Sequence, residues 1–194
     1  MMLRLVEPTD GFPERALLAR VSAGDRDAFN ELVYAYVEQL LDYGYYLTGD
    51  RASAEDIAQE VFCWLWDNRL TLHVQISLRS YLLTAVRHRA LDLRRRAQRE
   101  TRAQGLYARE AVIAATSGRA FGPEDDVLAG ELSLILREAI DSLPQRRREI
   151  LRLRWEQLSY SEIARTLGIS VKTVEAQVTR AFETLREFLG PVIR

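Results

Sequence analysis

Proline placement constrains this chain more than any other feature. The five prolines, Pro8, Pro13, Pro123, Pro144 and Pro191, leave long stretches in which nothing interrupts a continuous helix. Inside those stretches apolar residues recur at three- and four-residue spacing, and no run alternates with period two for long. The pattern predicts an all-α chain. In the first half, helices are expected at about 14–22, 26–47, 53–68 and 77–96. The small, polar, glycine-containing stretches at Gln104-Gly105 and from Thr116 to Asp126 read as a flexible linker. The expected organisation is a tail (1–12), a helical domain (13–99), the linker (100–126) and a second helical domain (127–194).

The 194 residues, 47% of them hydrophobic, suffice for two small cores. No apolar run approaches the roughly 20 residues that cross a bilayer, and the first eight residues lack a secretory apolar stretch. Membrane insertion is therefore not expected, and a cytoplasmic location is. Cys63 is the only cysteine, which excludes an intramolecular disulfide and a thiolate metal cluster. Flanked by Phe62 and Trp64, it reads as a packed thiol. His73 and His88 have no partner at metal-ligand spacing, and no phosphate-cradling glycine loop or nucleophile elbow occurs. No catalytic residue, metal or cofactor is expected, and the chain does not read as an enzyme.

Net charge is −1, but its distribution is uneven. Asp50, Glu55, Asp56, Glu60 and Asp67 face only Arg51 in one block. Arg87, Arg89, Arg94, Arg95, Arg96, Arg99 and Arg102 outnumber Asp92 and Glu100 in the next. Adjacent acidic and basic blocks suggest two partners of opposite charge.

Three segments carry function. Ser159-Tyr160-Ser161-Glu162 has capping-box spacing; Gly168 supplies a left-handed helix end, and Ser170 caps a following helix. On that second helix Val174, Val178, Ala181, Phe182 and Leu185 form an inward stripe. Lys172, Thr173, Ala176, Thr179, Arg180 and Glu183 point outward. This is a helix-turn-helix whose second helix enters a major groove. Arg180 suits a guanine edge or a phosphate, Gln177 an adenine edge, and Lys172 or Arg165 a phosphate. Arg146-Arg147-Arg148, with Arg152 and Arg154, adds expected phosphate contacts or steering.

In the acidic block, Ser53 and Asp56 again have capping-box spacing. Ile57, Ala58, Val61, Phe62 and Leu65 face inward. Asp56, Gln59, Glu60 and Asp67 share the opposite side, with Trp64 and Trp66 at its edges, and Trp64 is as readily a core residue. An acidic strip bordered by large aromatics has the composition of a protein-binding surface. The third segment, Leu78 to Arg96, is an amphipathic helix with an arginine-dense polar side and Tyr81 nearby, suited to nucleic acid; a membrane-surface helix is the competing reading.

Together the three segments resemble the sigma-70 family, specifically its extracytoplasmic-function (ECF) group. Ala54 to Phe62 is similar to region 2.2, which docks on the clamp helices of the polymerase β′ subunit. The resemblance thus implies core-polymerase contacts at Asp56, Gln59, Glu60, Phe62 and Trp66. Tyr81 to Arg95 is similar to the helix of regions 2.3 and 2.4, which engages the promoter −10 element. Arg79, Tyr81, Arg87, His88, Arg94 and Arg95 are the implied contacts. Leu143 to Arg186 looks like region 4, which reads the −35 element, here through Lys172, Thr173, Ala176, Gln177, Thr179 and Arg180. The implied partners are core RNA polymerase, through its β′ clamp helices and β flap, promoter DNA, and an anti-sigma factor. By the same resemblance, the loop Arg69–Ile76 and the start of the next helix would form the pocket that captures an unstacked −10 base. Two departures stand out. Tyr81-Leu82 and Val86-Arg87-His88 replace the family's usual Trp-Leu and Ala-Arg-Asn. Glu175, Ala176 and Gln177 occupy positions where relatives often have basic or hydroxyl residues.

Two other functions compete. A stand-alone transcription factor with the same helix-turn-helix would need a receiver or sensing domain, which the helical first half does not fit. A nucleic-acid enzyme would need a third ligand or a nucleophile beside Asp56 and Glu60.

Overall fold

In a computed structural model of the protein, the described residues are 14–71, 74, 77–103 and 135–190, without the side chains of 100–103. All regular structure among them is helical. The first domain contains α1 (Glu14–Ser22), α2 (Arg26–Thr48), α3 (Arg51–Asp67) and α4 (Leu78–Ala103). The second contains α5 (residues 135–141), α6 (Gln145–Trp155), α7 (Tyr160–Leu167) and α8 (Val171–Leu189). The expected tail, the linker beyond residue 103 and part of the base-capture loop (Leu72, His73, Gln75, Ile76) lie outside the described residues.

Local chemistry sets the helix ends. Asp25 caps α2 by accepting from the backbone of Asp27 and Ala28 at 2.9 and 3.0 Å. Gly49, at φ 72°, ends the helix. The capping box expected at Ser53 and Asp56 does not form. Asp50 caps α3 instead, accepting from the Ser53 amide at 2.8 Å and the Ser53 hydroxyl at 2.7 Å. A carboxylate accepts both donors at once, so it takes the cap and moves Ser53 into the first turn. Those two bonds, the hydroxyl's first, hold the Asp50 carboxyl below its ordinary range.

The first core joins Leu32, Leu40 and Tyr43 of α2 to Leu65 of α3 and to Leu82 and Leu83 of α4, all fully buried. Helices α2 and α3 approach closely at Gly44, where an added Cβ would sit 3.2 Å from the Ala54 Cβ. In the second domain Ile150, Leu153, Leu158, Ile163, Val174 and Ala181 are buried. The inward stripe of α8 stops short of expectation: Phe182 is 55% exposed and Leu185 is half-buried. With 19 residues, α8 outruns the 11-residue α6 and the 8-residue α7 that cover it, leaving its last turns without a lid. The two domains pack on each other, chiefly α4 against α7.

Candidate nucleic-acid and polymerase interfaces

The helix-turn-helix is built from its caps outward. The Ser159 amide donates to the Glu162 carboxylate at 2.7 Å and the Glu162 amide donates to the Ser159 hydroxyl at 3.3 Å, closing the box. Gly168 turns the chain at φ 65°, and Ser170 accepts from the Thr173 amide at 3.0 Å. Arg146 ties α6 to this turn by donating to the Leu167 carbonyl at 2.9 Å. Beyond the buried Val174 and Val178, Lys172, Thr173, Ala176, Thr179 and Arg180 are exposed along α8. Gln177 is half-buried at the edge of that face, its amide oxygen accepting from Arg147 Nε at 3.1 Å.

Much of the basic character of α6 is structural. Arg148 pairs with Asp141 at 3.2 Å. Arg152 is buried, lies 6.0 Å from the Tyr46 ring, and has carboxylates of Asp42 and Glu156 at 3.7 Å. Arg154 donates to the Leu158 carbonyl and stacks over Tyr160. Burial raises the Glu156 carboxyl above its ordinary value, against the pull of Arg152.

On α3, Asp56, Gln59 and Glu60 are exposed, with Glu60 paired to Arg89 of α4 at 3.0 Å. Phe62 is buried. Trp66 is half-buried against Phe29, at 4.9 Å between ring centroids, with the Arg69 guanidinium 4.5 Å from its ring. Trp64, 41% exposed, is not a core residue; its ring lies 6.1 Å from that of Tyr81. Between α2 and α3 runs an open groove of about 580 Å³ whose floor includes Phe62 and Trp66 and whose rim includes Gln59, Asp67 and the exposed Cys63. The other wall, Phe29, Val33, Val37 and Leu41, was not anticipated. Its signal was present as a second apolar row at four-residue spacing on α2, beside the core row of Leu32, Tyr36 and Leu40.

The α4 face divides in two. His88 and Arg95 are exposed and Arg94 is half-buried; Arg95 bonds Asp92 at 3.3 Å. Arg79, Tyr81 and Arg87 are also half-buried. Arg79 donates to the Glu156 carbonyl at 3.4 Å, and burial raises the Tyr81 phenol. Arg87 Nε donates to Glu149 at 2.9 Å, and both side chains are largely covered, at 14% and 9% exposure. The same Glu149 oxygen accepts from the Tyr43 hydroxyl at 3.2 Å. Tyr43 is wholly enclosed, and burial, then the Glu149 charge, pushes its phenol far above the ordinary value. Burial and Glu149 likewise push Tyr46 up to about 12. Further along the seam Thr84 and Thr166 share a hydrogen bond at 3.0 Å, and Ser77 donates to Glu162. Burial alone would raise Glu162; the bonds from Ser77 and Ser159 outweigh it and hold the carboxyl below its ordinary value. Two of the six residues expected at the −10 element, Arg79 and Arg87, are thus turned toward the second domain. No set of three potential ligands for a metal occurs among the described residues, and no helix there is long and apolar enough to cross a membrane.

Comparison with known proteins accounts for this arrangement. Residues 32–100 match the description "Sigma-70 region 2" and residues 133–185 match "Sigma-70, region 4". The ECF RNA polymerase sigma factor SigW of Bacillus subtilis is 29% identical over 182 residues, 89% of this chain and 94% of that protein. The RNA polymerase sigma-H factor of Pseudomonas aeruginosa is 28% identical, and the ECF RNA polymerase sigma-E factor of Escherichia coli K12 is 29% identical. Each of those two alignments covers 93% of this chain and 96% of the relative. Among solved structures, CnrH in complex with the cytosolic domain of CnrY has the same fold, with a TM-score of 0.61 at 21% identity over 92% of this chain and 97% of that one. The sigma factor RpoE in complex with the anti-sigma factor NepR from Bartonella quintana gives the same TM-score and identity over 84% and 96%. With regions 2 and 4 in this order and whole-length relatives named as ECF sigma factors, the chain belongs to the sigma-70 family of RNA polymerase sigma factors.

Proposed function

We propose that the protein is an ECF sigma factor that joins core RNA polymerase and directs initiation at promoters carrying −35 and −10 elements. One observation carries this reading furthest. A doubly capped helix-turn-helix presents Lys172, Thr173, Ala176, Thr179 and Arg180 to solvent on the same chain as a region 2 domain with an exposed acidic strip. The first module, residues 13–99, holds the β′ clamp helices through Asp56, Gln59 and Glu60, beside the groove floored by Phe62 and Trp66. Its α4 face engages the −10 element through Arg79, Tyr81, Arg87, His88, Arg94 and Arg95. The second module, residues 127–194, meets the β flap and lays α8 in the −35 major groove. Because Arg79 and Arg87 are held by the second domain, the domains separate before these two cations reach promoter phosphates or bases. The near-neutral net charge suits a subunit that borrows most of its DNA affinity from the polymerase. The role is non-enzymatic and cytoplasmic, and an anti-sigma factor is the expected inhibitor.

Transcription reconstituted from purified core polymerase, with and without the protein, tests the reading; start-site-specific transcripts are expected only with it. Asp56→Arg is expected to abolish capture of core enzyme while leaving helicity unchanged. Unaltered capture would remove the acidic strip from the interface.

A further inference from the structure

We propose that Arg147 is a positioning residue that fixes the side-chain amide of Gln177, so that the recognition helix leads with a donor at one position of the −35 element. The inference rests on the reading of α8 as the −35 helix and extends it to the chemistry of one base.

Arg147 lies in the first turn of α6, which packs against α8, and its Nε–H donates to Gln177 Oε1 at 3.1 Å. A guanidinium has donors and no acceptor, so the amide must present its oxygen to α6 and never its nitrogen. Both residues are half-buried, which shields the bond from competing water. The NH₂ is then the arm left for a ligand. Gln177 lies four residues after Thr173 and three before Arg180, so the three share one edge of the helix. Thr173 and Arg180 are exposed there.

This arrangement changes what Gln177 can read. A glutamine recognises adenine with both arms, donating to N7 and accepting from the N6 amino group. With its oxygen turned toward α6 and one of that oxygen's two lone pairs taken by Arg147, Gln177 cannot lay both arms along one adenine edge, and its NH₂ leads toward the base. It can donate to guanine O6 or N7 and to thymine O4. The position it faces should therefore favour guanine or thymine, tolerate adenine through N7 alone, and disfavour cytosine.

The test is transcription by core polymerase plus the full-length protein from a promoter library with the −35 element randomised, read by sequencing the specific transcripts. Wild-type protein is expected to favour guanine or thymine over cytosine at one position severalfold, below the discrimination of a bidentate base pair contact. Gln177→Glu keeps the shape and the Arg147 bond but offers only acceptors, and should invert the preference at that position toward cytosine or adenine. Arg147→Met frees the oxygen and should enrich adenine there severalfold, with other positions unchanged. Arg147→Lys, still a donor, should restore the wild-type profile. If Arg147 serves stability alone, Arg147→Met will lower output on every promoter equally with an unchanged base profile, and the proposal falls. An unchanged profile for Gln177→Glu overturns it as well. Failure of the wild-type protein to direct any initiation would overturn the −35 reading itself, a result distinct from either.

Discussion

Replacing Glu149 by glutamine is the most direct perturbation of the seam between the domains. The carboxylate takes bonds from Arg87 at 2.9 Å and Tyr43 at 3.2 Å, with Arg146 at 3.5 Å. At 14% and 9% exposure, the Arg87–Glu149 pair is little screened by water. Deleting one member of a buried pair costs about 3–5 kcal/mol, because the surviving charge loses its partner. Glutamine keeps the shape and one acceptor, so the loss at this site is set near the strength of one charged hydrogen bond, about 2 kcal/mol. Opening of the seam relieves the stranded Arg87 by returning it to water. The closed-to-open ratio should then fall roughly thirtyfold, at 1.4 kcal/mol per factor of ten. Small-angle scattering on wild type, Glu149→Gln, Arg87→Met and the double variant reads this as a rise in radius of gyration, with circular dichroism confirming retained helicity. The double variant should lose less than the sum of the single changes, as directly contacting residues do. Equal radii for all four proteins, or strict additivity, would refute the view that this network closes the molecule.

Two further outcomes follow from packing and charge. Gly44→Ala should lower stability by about 1 kcal/mol, the crowding against Ala54 outweighing the gain in helix propensity. Thermal unfolding would show a drop of about 3 °C, and a rise would mean that α2 and α3 yield at this contact. The second outcome concerns acid. Glu162 sits below its ordinary value of 4.5 in the folded chain, so its contribution is present above that value and is lost as pH falls through the lower folded one. Urea midpoints measured between pH 6 and pH 3 should decline in wild type and decline less in Ser77→Ala. Parallel declines would show that Ser77 has no part in it.

How much was legible depended on the range of the interaction. The caps at Ser159 and Ser170 and the turn at Gly168 were readable because each is settled within a few residues. Ser53 was misplaced for a local reason too: Asp50, three residues earlier, is the stronger acceptor. Phe182 belonged to the stripe by spacing, yet whether a stripe is covered depends on the lengths of other helices. Least legible was the seam. Tyr43 and Glu149 are 106 residues apart and Ser77 and Glu162 are 85 apart, and no periodicity announces such a meeting. Arg87 and Arg152 read as surface cations because arginines usually are; Glu149 for Arg87 and Asp42 for Arg152 come from the other domain. The glutamine on α8 was read from sequence as suited to an adenine edge, but its orientation is set by a side chain thirty positions away.

The one sulfhydryl in the chain stands, exposed, at the rim of the groove between α2 and α3, beside the aromatic floor. Alkylation of Cys63 can therefore act as an occupancy gauge for that surface without any engineered label. Whatever settles over Trp66 and Phe62 must also shadow this sulfur, so slowing of its modification reports the arrival of a partner on unaltered protein.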